Sequence, residues 1–145
     1  MALRYLGYRP RSEAEVRRCL SRRGCSPGAV DSVIEKLRSL HYLNDGTFAR
    51  NWALGRAQGR GYGPRRIEQE LKSKGVGQSL IRDALRETFV EVDETAQAKR
   101  LLTKHFKGCD FTEPKTLRRA VGFLQRRGYG SKVVFDLLRY SIEDD

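Results

Sequence analysis

A step of the form Leu-x-x-x-Gly occurs three times in this chain of 145 residues, ending at Gly24, Gly75 and Gly128. The spacing gives a repeat of about 50 residues, a period typical of tandem helical units. Positions 5, 6, 9 and 10 after each Gly are apolar in every copy: Ala29, Val30, Val33 and Ile34; Leu80, Ile81, Ala84 and Leu85; Val133, Val134, Leu137 and Leu138. This pattern is the buried stripe of an amphipathic helix. The sequence therefore predicts that each repeat ends in a helix whose apolar stripe has the same phase.

A second helix is predicted before each Gly. Ser12 and Glu15 have the spacing of a capping box, and Pro64 and Pro114 are placed for a first helical turn. Each Gly would then be a left-handed C-cap, and the residue after it would lie beneath the helix end: Cys25, Val76 and Tyr129. An apolar residue four before each repeat Leu completes the stripe: Val16, Ile67 and Ala120.

A third, earlier helix is visible in two copies, where Asp45 and Asp93 are predicted caps. The first copy offers only residues 2–8 for it, so its opening helix is short or truncated. Alternating β-branched runs, the signature of strands, are scarce. We predict an all-α fold of three tandem three-helix repeats in an elongated, curved array, whose cores meet only their neighbours. The repeats are assigned to residues 1–43, 44–90 and 91–145, the second being the most basic.

The net charge is +11, from 29 Lys and Arg against 18 Asp and Glu, and Arg supplies most of the cations. Arg favours phosphate and carboxylate partners, although a GC-rich genome would also replace Lys by Arg. Basic pairs recur in corresponding parts of the repeats. Arg65-Arg66 and Arg118-Arg119 lie near the start of the second helix, with Arg17-Arg18 nearby in the first copy, and Arg22-Arg23, Lys72 with Lys74 and Arg126-Arg127 lie just before each Gly. Cations in a last helical turn also offset the macrodipole without any ligand. Repetition and net charge together favour a polyanionic partner.

The densest basic run extends from Arg50 to Lys74 and contains a Gly-rich turn at residues 59–63. Such a turn before a helix can hold phosphate through backbone N–H groups, but no Lys-Ser/Thr follows and Pro64 removes a donor. A tight, exposed, basic connector is the preferred interpretation. Phe48 and Trp52 share a helical stripe and are predicted core residues, whereas Tyr62 is the one aromatic predicted to be exposed.

The sequence offers little for catalysis or for a metal. It has no HExxH, Walker or Ser/His/Asp pattern, and His105 with Cys109 is a remote candidate for a thiol/imidazole pair. The three cysteines form no CxxC pair and are interpreted as thiols of a reducing cytosol. No window approaches the ~20 apolar residues of a membrane span. We expect a cytoplasmic protein without enzymatic activity, cofactor, metal or membrane contact.

Several motifs occur in a distinctive order: Ser12-x-x-Glu15-Val16, then residues 40–49 (LHYLNDGTFA), Trp52, residues 60–64 (RGYGP), and Ile67-x-x-Glu70-Leu71-x-x-Lys74-Gly75-Val76. They resemble the RecX family, bacterial regulators of the RecA recombinase. The resemblance covers nearly the whole chain and is strongest from His41 to Val76.

The resemblance implies a modulator, mainly an inhibitor, that binds in the groove of the RecA filament on single-stranded DNA. Such a protein inhibits ATP hydrolysis, strand exchange and coprotease activity, and we expect it to be a monomer. Direct contact with the DNA is left open. The expected contact residues are Arg56, Arg60, Tyr62, Arg65, Arg66, Lys72, Lys74, Arg118, Arg119, Arg126 and Arg127. The alternative is a stand-alone basic nucleic-acid-binding module that acts without RecA.

Overall fold

The computed structural model describes the backbone of residues 2–143 and their side chains, except those of Tyr8 and of residues 140–143. The helices of this part are α1 (Ala2–Tyr8), α2 (Glu13–Arg22), α3 (Pro27–Ser39), α4 (Asp45–Arg60), α5 (Pro64–Ser73), α6 (Gln78–Glu91), α7 (Glu94–His105), α8 (Pro114–Arg126) and α9 (Ser131–Glu143). No strand occurs among residues 2–143. The predicted all-α array of three-helix repeats is confirmed. Residues 1, 144 and 145, which belong to the predicted outer repeats, lie outside the described residues.

The helix ends follow the predicted local chemistry. Ser12 forms the capping box with Glu15, and Pro64 and Pro114 begin α5 and α8. The three repeat glycines have φ values of +87°, +77° and +98°, the left-handed conformation that a side chain adopts only with strain.

One predicted cap is wrong. Asn44, not Asp45, caps α4, because the Asn44 side chain accepts a hydrogen bond from the Thr47 amide. The carboxylate of Asp45 is used elsewhere: it accepts a hydrogen bond from the backbone N–H of Glu13 at 2.9 Å. Asp45 therefore links α4 to the start of α2 in the first repeat.

Each repeat has its own hydrophobic core. The clusters centre on Val16 and Ile34, on Ile67 and Ile81, and on Leu124 and Tyr129. In the helix that ends each repeat the predicted stripe faces the core, except that Ala29, in the first turn of α3, is exposed.

The boundary between the second and third repeats falls slightly later than predicted. Helix α6 runs to Glu91, and Val92 packs into the second core. The opening helix of the first repeat has seven residues, against sixteen in α4.

The first and second repeats meet end to end, with the last turn of α5 against the first turn of α2. The Ser12 hydroxyl donates to the carbonyl oxygen of Lys74 at 2.6 Å, and Arg18 donates to the carbonyl oxygen of Ser73 at 3.2 Å. A Cβ atom on Gly75 would overlap the side chain of Ala14. The carbonyl groups that a helix end leaves unpaired are thus satisfied by the neighbouring repeat.

The second and third repeats meet in the same way, with the last turn of α8 against the first turn of α5. The N–H groups of Gly63 and Arg65 donate to the carbonyl oxygens of Arg127 (2.7 Å) and Gly128 (2.9 Å). A Cβ atom on Gly63 would lie 2.7 Å from the Gly128 carbonyl oxygen, so only glycine fits there. We call these two contacts the helix-end junctions.

The repeat glycines provide a test of the junctions. Gly24→Ala should cost about 1–2 kcal/mol, the strain of a left-handed alanine, because nothing lies within 4 Å of the added atom. Gly75→Ala and Gly128→Ala should each cost about 1–3 kcal/mol more, since the new Cβ would meet Ala14 or Arg66. Urea unfolding followed by circular dichroism measures the difference. Equal losses for all three variants would contradict close packing at the junctions.

A buried hydrogen-bond chain also links the last two repeats. The Tyr129 hydroxyl donates to the Gly61 carbonyl oxygen at 2.8 Å and accepts from the Gln97 amide at 2.9 Å. The same amide nitrogen donates to the Ala57 carbonyl oxygen at 2.9 Å. Burial raises the pKa of Tyr129 to about 12, because the phenolate would lie in an apolar environment.

Tyr129→Phe should destabilise the protein by about 1–3 kcal/mol at neutral pH, because buried polar groups lose their partner. The raised pKa adds a pH dependence. The unfolded tyrosine ionises near pH 10.0, whereas the folded one keeps its proton to about 12, so this stabilisation is present below pH 10 and disappears as the pH rises through 12. The stability difference between wild type and Tyr129→Phe should therefore shrink over that window in urea titrations. A constant difference would contradict the raised pKa.

Candidate functional site

Two open clefts lie at the helix-end junctions. The cleft at the first junction has a volume of about 400 Å³, and the cleft at the second has about 530 Å³. Ser73 lines both, so they adjoin along α5. Their arginines form what we call the basic face: Arg18, Arg22, Arg23, Arg65, Arg66 and Arg126.

The two carboxylates in these clefts are neutralised within the chain. Glu15 is only 8% exposed and contacts Arg9 at 2.8 Å and Lys74 at 3.3 Å. Burial would raise the pKa of Glu15, but the Ser12 amide, Arg9 and Lys74 outweigh it, and the pKa is lowered. Glu70 lies 3.7 Å from Arg56 and accepts a hydrogen bond from the Trp52 indole. Both carboxylates have internal cationic partners, so the face presents positive charge.

Three of the predicted contact residues lie on the basic face: Arg65, Arg66 and Arg126. Arg65 and Arg126 are exposed, and within the described residues neither makes an ion pair through its side chain. Arg66 has a structural role as well, because its guanidinium lies 3.9 Å above the Tyr62 ring and donates to the Arg126 carbonyl oxygen. Arg65 and Arg126 are the two arginines of the second junction that are exposed to solvent.

Tyr62 and Arg56 are packed differently from the prediction. Tyr62 is only 9% exposed, so the exposed aromatic predicted in the Gly-rich turn is wrong. The turn is held against the third repeat through Gly63, which buries the tyrosine beneath Arg66. Arg56 stacks on Trp52 at 4.4 Å and contacts Glu70, so it completes the packing of the second repeat.

The cation directly before each junction glycine is turned towards the neighbouring repeat. Lys74 contacts Glu15 and lies 4.9 Å from the Trp52 ring centre. Arg127 donates to the Arg60 carbonyl oxygen at 2.8 Å. These two predicted contact residues hold the junctions together.

The remaining predicted contacts are more scattered. Lys72 pairs with Glu68 at 3.2 Å, and Arg60 lines a separate cleft of about 710 Å³ between the end of α4 and α7. Arg118 and Arg119 are exposed on α8, with Arg119 lying 5.7 Å from the Phe106 ring centre. The sequence predicts that all eleven residues share one contact surface, whereas the structure distributes them over several surfaces.

The basic face also contains residues that were not among the predicted contacts. Arg18, Arg22 and Arg23 line the cleft at the first junction and are exposed. Their signal in the sequence was the basic pair that each of them belongs to. The pairs alone did not indicate a shared surface. The end-to-end packing of α2 against α5 places these arginines next to those of the second junction.

The described part of the chain contains no group of three His, Cys, Asp or Glu side chains that could hold a metal ion. None of its helices is long and apolar enough to cross a membrane. His105 stacks against Phe123, with ring centres 4.5 Å apart, and Cys109 is exposed.

The fold and the face define the class: an all-α tandem-repeat protein with a basic face that crosses its helix-end junctions. Family models described as the first and second three-helix domains of RecX match residues 1–37 and 44–85. The chain belongs to the RecX family and is a regulatory protein of that family.

Similar proteins extend this match over the whole chain. Regulatory protein RecX of Halorhodospira halophila is 36% identical, covering 99% of this chain and 88% of the relative. That of Streptomyces coelicolor is 30% identical, covering 100% of this chain and 77% of the relative. A crystal structure of a regulatory protein RecX superposes with a TM-score of 0.78 at 27% identity, covering 99% of this chain and 68% of the other. RecX from Lactobacillus salivarius shares the fold, with a TM-score of 0.82 at 21% identity and coverage of 99% and 93%.

Lys74 lies one residue before its repeat glycine, and Arg126 lies two residues before its own. Replacing them by Ala should affect the stability of the protein very differently. Lys74→Ala should cost about 1–3 kcal/mol, because the buried carboxylate of Glu15 loses a charged partner. Arg126→Ala should change stability by less than about 0.5 kcal/mol, since its side chain faces solvent. Thermal and urea unfolding of the two single variants measure this. A large loss for Arg126→Ala would show that the arginine has a structural role and does not belong to the candidate site.

Proposed function

We propose that the protein regulates a RecA recombinase, mainly as an inhibitor, by lying in the groove of the filament that RecA forms on single-stranded DNA. The observation that carries the proposal is the basic face, which crosses two helix-end junctions and whose carboxylates are already paired. Cations repeated along three stacked units suit a partner that is itself extended and repetitive. Membership of the RecX family supports the choice of partner.

The proposed mechanism is steric and electrostatic. A chain that spans successive protomers restrains the movements that accompany ATP hydrolysis. It also occupies the groove through which a second DNA or a coprotease substrate would enter. Neither effect requires a cofactor or a catalytic residue, and the site of action is the cytoplasm, where the chromosome lies.

A second candidate function is nucleic-acid binding without RecA. It is favoured by the arginines of the face, since guanidinium groups pair with phosphate as readily as with carboxylate. The two proposals differ in their dependence on the recombinase. Binding to bare single-stranded DNA and to a RecA–ATP filament, each at two salt concentrations, separates them. The regulator should bind the filament much more tightly, and equal affinities would support the second candidate.

The double variant Arg65→Ala/Arg126→Ala tests the basic face itself. We expect it to weaken filament binding and the inhibition of ATP hydrolysis on the order of tenfold or more, because two cations directed to the partner are lost. If those cations meet phosphates, the slope of log affinity against log salt should fall by about 2. The measurements are binding by fluorescence anisotropy and a filament ATPase assay.

Arg82→Ala/Lys99→Ala is the matched control, because it removes the same charge from exposed positions on α6 and α7, which do not line the two clefts. The control should bind and inhibit almost as the wild type does, apart from a small effect of net charge. If both double variants lose binding equally, the interaction depends on total charge and the basic face is not its site.

A further inference from the structure

The third repeat carries an open apolar groove between α8 and α9. It has a volume of about 570 Å³, and Leu117, Val121, Val134 and Leu138 are among its lining residues. Phe135 stands at this groove with 64% of its surface exposed. An aromatic side chain this exposed, next to further apolar side chains, marks a surface that gains stability when a partner covers it.

The other two repeats show that the fold does not require this groove. Aligned on the repeat glycines, Val121 matches Arg17 and Glu68, and Phe135 matches Asp31 and Arg82. In the first repeat, Arg17 bridges the two helices by pairing with Asp31 at 2.7 Å. In the second, Glu68 accepts a hydrogen bond from Gln78 of α6 at 3.4 Å. The same groove is therefore polar and bridged in two copies but apolar and open in the third.

The charges around the groove indicate the chemistry of the partner that would fill it. Arg139 lines it, and no carboxylate of the described residues does; the sequence neighbours of its lining residues include the exposed cations Arg118 and Lys132 and one half-buried carboxylate, Asp136. A second copy of this chain, with its net charge of +11, would bring like charges together. A phosphate backbone offers no apolar surface to fill the groove. The chemistry that fits is an apolar helical stripe flanked by carboxylates.

The groove is also continuous with the basic face. Gln125 lines both the cleft at the second junction and the apolar groove. An acidic segment lying along Arg126 would therefore extend directly to Phe135. Apolar side chains spaced by three and four residues on a helix would then enter the groove.

We infer that the groove between α8 and α9 is a docking site for an acidic amphipathic helix of a partner protein. The site uses protein–protein contacts and does not depend on whether the partner is the recombinase filament proposed above.

The probe is a fluorescent synthetic peptide with Leu and Phe at helical spacing and Glu elsewhere. It should bind the full chain and shift the amide resonances of α8 and α9 in a ¹⁵N-labelled sample, with smaller changes elsewhere. Val121→Glu/Phe135→Arg, which installs the residues of the second repeat, should weaken binding about tenfold or more while the circular dichroism spectrum stays unchanged. Val90→Ser, at a valine that is 80% exposed and outside the groove, is the control and should bind as the wild type does.

Several results would overturn the inference. They are a lack of peptide binding, equal binding to the double groove variant, and equal binding of a peptide with Lys in place of Glu. Tighter binding of an oligothymidine than of the peptide at the same resonances would assign the groove to nucleic acid. Concentration-dependent dimerisation that the double variant abolishes would assign it to a second copy of the chain.

If the double variant loses structure, the measurement is repeated with Phe135→Ser alone, because an exposed side chain is not needed for folding. None of these assays contains RecA or DNA filaments, so their failure would leave the proposed function standing.

Discussion

The arrangement of the repeats depends on contacts between helix ends. The carbonyl end of α5 lies on the amino end of α2, and that of α8 lies on the amino end of α5. This places the negative end of one helix dipole against the positive end of the next and pairs groups that each helix leaves unsatisfied. The contact is so close that Gly75 and Gly128 have no room for a Cβ atom. Gly24 has the same backbone conformation, but no atom of the described residues would lie within 4 Å of an added Cβ, so its role is that of a helix cap.

The junctions also separate two roles that the sequence could not tell apart. A basic pair before a repeat glycine can offset the helix dipole or can bind a partner. In the third repeat the two arginines differ: Arg127 turns inward to the Arg60 carbonyl oxygen, while Arg126 remains exposed. Among the described residues no other repeat packs against the carboxyl end of α2, and both Arg22 and Arg23 are exposed. Individual cations of these pairs thus either hold neighbouring repeats together or remain exposed to solvent.

Local chemistry made much of the fold predictable, and contacts between repeats account for what was missed. The capping box at Ser12 and the left-handed glycines depend on neighbours within a few residues, so the pattern predicts them directly. Asp45 was assigned as a cap because nothing local shows that its carboxylate binds the Glu13 amide of another repeat. Tyr62 was expected to be exposed for the same reason, since the unit that holds its turn begins about 30 residues later in the chain. The candidate site was less predictable than the fold, because it forms where repeats meet.

Comparison between the copies separates positions that the fold fixes from positions that are free to change. The tenth residue after each repeat glycine is apolar and packs in or against the core in every copy: Ile34, Leu85 and Leu138. The seventh residue lies on the solvent side of the same helix and is Asp31, Arg82 and Phe135 in turn. A core position constrains its residue through packing, whereas a surface position changes stability little, so its chemistry can diverge. The shared fold therefore does not account for the difference between an ion-paired aspartate and an exposed phenylalanine at this position, and we attribute the difference to the docking site inferred above.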